Sequence, residues 1–289
     1  MQGPLYYGYT PMIPVLFEIG PVKIYSYGLM MALGFLAAGY VIWLDCRRRG
    51  INPEYASSVI FWAAIGGIAG SRLYHVIDNW QYYAADPTLI VWSSAGFVWY
   101  GGLIGGLASV YFVSRYYQVP FLATADMCGP ALAIGHAIGR LGCQLSGDGD
   151  WGLPSTLPWA MAYPNAIVGW NSDTVLKLDP DNQLVSGYFA GVRVHPAPIY
   201  ETLLYVGVFL ILWRLRTRLK QPGRLFFLYF ILAGAARFAV EFVRINPRVF
   251  YGLSEAQLIA MAMMVVGAVV FIAMGERGGE VETKAAARA

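Results

Sequence analysis

Residues 24–44 read IYSYGLMMALGFLAAGYVIWL, an apolar run followed at once by Asp45-Cys46-Arg47-Arg48-Arg49. As a helix the run rises about 30 Å, the thickness of the hydrocarbon core of a bilayer. Backbone groups in lipid must find partners within their own segment, so the run is expected to be a transmembrane helix with its basic end in water. Similar runs recur near residues 56–77, 89–113, 120–145, 198–213, 225–243 and 255–274, about seven spans in all. The composition agrees. Of 289 residues 57% are hydrophobic and 13% charged, and the mean hydropathy is +0.51, whereas soluble domains carry roughly a quarter charged residues. The fold class expected is all-α, a polytopic membrane bundle forming one domain over residues 1–289.

The basic residues lie in alternate loops: Arg47, Arg48 and Arg49, then Arg115, then Arg214, Arg216, Arg218, Lys220 and Arg224. Basic loops stay in the cytoplasm, which places the amino terminus outside and the tail GERGGEVETKAAARA inside. Residues 146–194, rich in Pro, Asn, Asp and Trp, then lie outside as a small ordered cap. The formal charge of +3 sits in these short loops and does not suggest nucleic acid. Cys46, Cys128 and Cys143 are widely spaced, with no ligand-like spacing, so a structural metal is not expected. The amino terminus lacks the basic region and small-residue site of a removable signal peptide.

Ionisable residues at membrane depth are costly and face a wet cavity or one another. Here they are Arg72 and His75, Asp126, His136 and Arg140, Glu201, and Arg237 and Glu241. Arg237 and Glu241, four apart, share a helix face and can pair. Arg140 and Arg72 have no acidic neighbour at helical spacing, which leaves guanidinium forks for a phosphate, and in a membrane that phosphate is a lipid head group. His136 reads as a satisfied core residue, while Arg244 and Arg248 read as surface residues meeting lipid phosphates. Glycine in VWYGGLIGGLASV (98–110) and GPALAIGHAIGRLG (129–142) serves either close helix packing or irregular backbone lining a cavity. A transporter or lipid-binding membrane protein is the rival reading, but no repeated halves are visible and the arginines gather on one side.

The segments YSYGLMMALGF, VWYGGLIGG, GRLGCQLSGDGDWGLPSTLPWAM, HPAPIYETLL, RFAVEFVR and LSEAQL, in this order over residues 25–257, resemble prolipoprotein diacylglyceryl transferase. The resemblance implies a seven-span enzyme of the bacterial inner membrane. It would move the diacylglyceryl group of phosphatidylglycerol onto the lipobox cysteine thiol of a preprolipoprotein, forming a thioether and releasing glycerol phosphate, with no metal or organic cofactor. This is the first step of lipoprotein maturation. The family's essential arginines fall on Arg140 and Arg237, and its acidic residues on Asp148 (where glutamate is usual), Glu201 and Glu241. Its tyrosine falls on Tyr27 and its head glycine on Gly152. Two positions depart from the pattern: Tyr100, before Gly101 and Gly102, stands where histidine is usual, and Cys143 where asparagine is usual. A paralogue with another acceptor is therefore a second reading.

The catalytic set expected is Arg140, Arg237, Tyr100, Asp148 and Glu241. The substrate-binding set is Tyr27, Arg72, Gly101, Gly102, Cys143, Gly152 and Glu201. Holding the charge of the departing phosphate is the largest requirement and is assigned to Arg140 and Arg237. A thiol with a reference pKa near 8.5 is only slightly ionised at neutral pH. Tyr100, near 10, is a poor base. Asp148 and Asp150 are alternative proton acceptors, with turn geometry the plainer reading of both. His195 is either a base or, on the plainer reading, a residue that packs the cap, and Cys143 is expected to pack rather than react. The reading requires cationic side chains from separate helices to converge on one point.

Overall fold

The computed structural model describes residues 12–20, 22–86, 88, 96, 98–168, 170 and 193–286, with backbone alone at 85 and 276–286. Its helices are α1 (Ser26–Arg49), α2 (Glu54–Asp78), α3 (Trp80–Ala85), α4 (Trp99–Tyr116), α5 (Phe121–Ser146), α6 (Ala197–Leu215), α7 (Arg224–Glu241) and α8 (Glu255–Ala286). Two small antiparallel hairpins accompany them, β1 (Val15–Ile19) with β2 (Val22–Tyr25) and β3 (Arg248–Phe250) with β4 (Leu253–Ser254). The all-α membrane architecture read from the sequence is the architecture found.

Among the described residues, α1, α2, α5, α6 and the Glu255–Gly275 part of α8 are long and apolar enough to cross a membrane. The other two expected spans are helical, at 18 residues each, but fall outside that group. α4 spends its length on glycine and tyrosine, and α7 carries Arg224, Arg237 and Glu241. The expected third span starts later than its apolar run, at Trp99; residues 89–95 and 97 lie outside the described set. So do 169 and 171–192 of the expected cap.

The described residues form two units. One holds those of Ala38–Cys128, the other those of Met1–Ala37 and Gly129–Ala289. In the first, α2 packs along α4 with Gly66 and Gly70 against Gly105 and Gly101. A Cβ on any of these four would strike a carbonyl of the opposite helix, so the glycines let the two backbones touch. Tyr55 Oη and Thr124 Oγ1 bond at 2.6 Å in the same unit, and Asp45 accepts from Arg48 and Arg49 at 2.6 Å each.

In the second unit, Ala133 and Ala137 of α5, Tyr205, Val208 and Leu212 of α6, and Leu225, Ala233 and Ala236 of α7 form a buried core. The small residues on α5 and α7 admit the larger ones on α6. Gly234 and Gly267 seat α7 against α8 in the same way. The chain after α5 returns over the helix ends, where Met12, Trp151, Tyr163 and Val194 cluster. It is pinned by Gly152 N–H to His195 O at 2.8 Å and Leu153 N–H to Val243 O at 2.7 Å. The C-terminal ends of α5 and α7 and the N-terminal end of α6 thus share one end of this unit.

The start of α8 carries a reciprocal cap at that end. Gln257 N–H donates to Ser254 Oγ at 3.2 Å, and Ser254 N–H donates to Gln257 Oε1 at 3.1 Å. This is the S-x-x-Q pattern that satisfies two otherwise unpaired amides.

Gly70→Val should destabilise the protein in detergent by about 1–3 kcal/mol through overpacking, read as a lower thermal midpoint. Gly207→Ala, with nothing within 4 Å of its added carbon, should leave that midpoint unchanged or raise it.

Candidate active site: a buried charge network

Four segments of the second unit bring charged groups to one place. Arg140 projects from the last turns of α5, with His136 one turn before it. Glu201 lies in the second turn of α6, which opens through Pro196 and Pro198. Proline suits a helix entry because its missing N–H would be unpaired there anyway. Arg237 and Glu241 occupy the last turns of α7, and Arg244 follows directly. Asp150 comes from the loop after α5.

Glu201 is the hub, with no exposed side-chain surface. Its Oε1 accepts from Arg237 Nη1 at 2.6 Å and lies 3.4 Å from Arg244 Nη1. Its Oε2 pairs with Arg140 Nε and lies 3.5 Å from His136 Nε2. The imidazole stacks on the Tyr205 ring at 3.8 Å, which fixes its plane. Arg140 and Arg237, from separate helices, therefore share one carboxylate, the convergence the sequence reading required.

The other two carboxylates extend the network. Glu241, also fully buried, pairs with Arg237 Nη2 at 2.9 Å and accepts from Asn246 Nδ2 at 2.6 Å and Ser254 Oγ at 2.8 Å. Asp150 accepts from Arg140 Nη1 on Oδ2 and from Arg244 Nη2, at 2.5 Å, on Oδ1. Three guanidiniums face three carboxylates, so charge balances without solvent, the condition under which buried ions are tolerated. Both helix-borne arginines keep some exposure, 18% for Arg140 and 23% for Arg237, so neither is sealed.

Several expectations change. Arg140 lacks an acidic neighbour at helical spacing, yet it is paired, because its partners arrive from α6 and the following loop. Arg244 is not a surface residue: it is 8% exposed inside the network. Its signal was present, since Arg237, Glu241 and Arg244 stand at i, i+4 and i+7, one helical stripe. Asp150 is more than a turn residue, and His136 is more than core filling. Arg248 donates to Glu241 O at 3.1 Å and Gln257 Oε1 at 2.8 Å, so it braces α7 against the cap of α8.

The remaining candidates divide between the units. Asp148 Oδ1 accepts from Asp150 N–H at 3.2 Å. With Tyr25, Tyr27, Gly28, Ser146 and Ile167 it lines a cleft of about 380 Å³. Cys143 is buried, 3.5 Å from Arg140 Nη1. Gly152 is held by backbone, and a side chain there would strike Val243 O. His195 Nδ1 lies 3.2 Å from Tyr200 Oη. Tyr100, Gly101, Gly102 and Arg72 belong to the first unit. There Gly101 packs on α2, Tyr100 sits in the first turn of α4, and Arg72 lies 5.4 Å over the Tyr83 ring. Cys143, Asp148 and Asp150 bring three potential ligand atoms within 4.8 Å of one another, but the two guanidiniums already on Asp150 oppose a cation there.

Burial alone would raise the Asp150 carboxyl, but Arg140 and then Arg244 outweigh it and hold it below the usual aspartate range. The group is an anion at neutral pH.

Residues 14–273 match the family model described as prolipoprotein diacylglyceryl transferase. Proteins named phosphatidylglycerol–prolipoprotein diacylglyceryl transferase are similar over nearly the whole chain. One from Clostridium tetani is 34% identical over 264 residues, covering 90% of this chain and 97% of the relative. One from Methylococcus capsulatus is 32% identical, covering 92% and 96%. One from Dehalococcoides mccartyi is 31% identical, covering 90% and 92%.

Two outcomes follow from this geometry. Glu201→Gln leaves buried arginines without their shared anion and should cost about 3–5 kcal/mol of stability, whereas Ser254→Ala should cost only about 1–2 kcal/mol, both measured by unfolding in detergent. Because the folded pKa of Asp150 is depressed, its contribution is present above the unfolded value near 3.9 and is lost as pH falls through the lower folded value. Asp150→Asn should therefore flatten the acid limb of a stability–pH profile and leave its alkaline limb in place.

Proposed function

The chain belongs to the prolipoprotein diacylglyceryl transferase family, and from that premise we propose that it transfers the diacylglyceryl group of phosphatidylglycerol to the lipobox cysteine of preprolipoproteins. One observation carries the proposal: Arg140 and Arg237, from separate helices, lie on the two oxygens of one buried carboxylate while remaining partly exposed. Two guanidinium forks so placed can hold a phosphate as negative charge grows on it.

The substrate thiol gives up its proton, its sulfur attacks the glyceryl carbon, and the carbon–oxygen bond breaks with the electron pair going to the departing glycerol phosphate. Arg140 and Arg237 stabilise that oxygen anion. Glu201 and Glu241 are buried and surrounded by donors, so their part is to orient the arginines rather than to take protons. Asp148 and Tyr27, on the neighbouring cleft, are assigned to the acceptor. Asp148 and Tyr100 are the alternatives for proton removal. Cys143 and Gly152 complete the proposed substrate contacts in the second unit, Arg72, Gly101 and Gly102 are the ones proposed in the first, and no metal or cofactor takes part.

In this reading all seven apolar helices cross a bacterial cytoplasmic membrane as one domain. The amino terminus lies outside, the tail inside, and residues 146–194 cap the outer end. The basic termini Arg214, Arg216 and Arg224, at the ends of α6 and α7 away from the charge network, support this orientation. Tyr100 and Cys143 keep open a second reading, the same lipid donor with a different acceptor.

Transfer of labelled lipid from phosphatidylglycerol to a lipobox peptide tests the proposal. Arg140→Ala and Arg237→Ala should each lower turnover by about 10²-fold or more, and the lysine variants, which keep charge but lose the fork, should fall between. Near-normal turnover in both alanine variants would remove the charge role. Whichever of Tyr100→Phe and Asp148→Asn is repaired by raising pH identifies the proton acceptor. A lipobox peptide left unmodified while the donor lipid is consumed points to the other acceptor.

A further inference from the structure

The three carboxylates of the network are not equivalent. Glu201 and Glu241 are fully buried on helices, the first among three arginines and a histidine, the second among Arg237, Asn246 and Ser254. Asp150 is 32% exposed, on a loop, and its carboxylate is held by two guanidiniums, one on each oxygen. That loop leaves α5 at Ser146, passes Gly147 (φ +62°) and Gly149 (φ +94°), and is pinned again at Gly152. Both glycines occupy backbone regions open to few other residues, so two permissive joints precede Asp150 between α5 and the pin at Gly152.

We infer that Asp150 occupies the seat of the substrate phosphate and yields it when the lipid binds. The inference rests on the transferase reading for the identity of the ligand. A phosphodiester offers two non-bridging oxygens to Arg140 Nη1 and Arg244 Nη2 as the carboxylate does, which leaves Arg237 for the oxygen that departs. Charge requires the exchange. The network is balanced with three anions, so a phosphodiester added to it would leave an uncompensated negative charge in a poorly solvated site, whereas replacing Asp150 keeps the balance. Asp150 is the anion whose departure disturbs least, since Glu201 and Glu241 each anchor a helix. Asp150 is thus a specificity-determining residue: it keeps the arginines collected in the empty site, and only a ligand anionic enough to displace it gains entry.

The test uses the full chain in phosphatidylcholine nanodiscs, with dioctanoyl phosphatidylglycerol as probe and dioctanoylglycerol as the neutral control. Asp150→Asn removes the competing charge and should tighten phosphatidylglycerol binding by about tenfold, equivalent to ~1.4 kcal/mol. Binding of the neutral lipid should not change, and Asp150→Glu should stay near the unaltered protein. A second arm uses sn-glycerol 1-phosphate. Tightening there shows that phosphate alone takes the seat, and tightening with the lipid only shows that the acyl chains are needed to deliver it; both support the exchange. Equal or weaker phosphatidylglycerol binding by a folded Asp150→Asn protein overturns it. Should that variant fail to fold, hydrogen exchange on the unaltered protein decides. Amides of residues 147–151 should exchange faster once phosphatidylglycerol is bound, and unchanged or slower exchange overturns the inference. If the unaltered protein forms no thioether but Asp150→Asn still tightens lipid binding, the transferase reading fails and the seat stands. Normal transfer without tightening has the opposite meaning.

Discussion

A single carboxylate, Glu201, is what allows three guanidiniums to occupy one small region. Arg140, Arg237 and Arg244 would repel one another, and each would resist leaving water, if no anion lay between them. Glu201 is equally unable to sit fully buried by itself. Neither party is tolerated without the other, so the register of α5, α6 and α7 must put them face to face. Alanine at 133, 137, 233 and 236 and the larger Tyr205, Val208 and Leu212 supply that register by shape.

The outer members of the network are fastened differently, and the difference sorts their functions. Glu241 is tied to Ser254, which also caps α8, while Arg248 joins the Glu241 carbonyl to Gln257. The end of α7, the β3–β4 hairpin and the start of α8 are thereby one hydrogen-bonded assembly holding Arg237. Asp150 sits instead on a loop, tied by its own N–H to Asp148 Oδ1 and by the pin at Gly152. An anion buried on a helix acts as scaffold, whereas one presented on a glycine-flanked loop can be exchanged for a ligand. The same chemical group therefore serves structure in one place and selection in another.

Glycine is also put to two different uses. In α4 the glycines meet those of α2 backbone to backbone, the packing use of the residue. In the GDGDW stretch they set the path of a loop that carries a charge into the network. Both rely on the missing Cβ, one for space across an interface and the other for dihedral freedom.

Much of this protein was legible from residue order. Apolar runs long enough to span a bilayer, arginines at alternate loops, the Arg237–Glu241 spacing and the six ordered segments lead to a helical membrane protein of this family, because each is a local pattern whose meaning needs no partner. The place of Arg244 on one helical stripe with Arg237 and Glu241 was legible too, though Arg244 read first as a surface residue. What tertiary structure alone decided is the pairing. Arg140 meets Glu201 and Asp150, Glu201 meets His136, and Arg244 meets Asp150 across 94 positions. Coulomb attraction in a low-dielectric interior selects whichever opposite charge is brought within reach, and reach is set by how each helix is rotated and where a loop returns, which spacing along one chain does not encode.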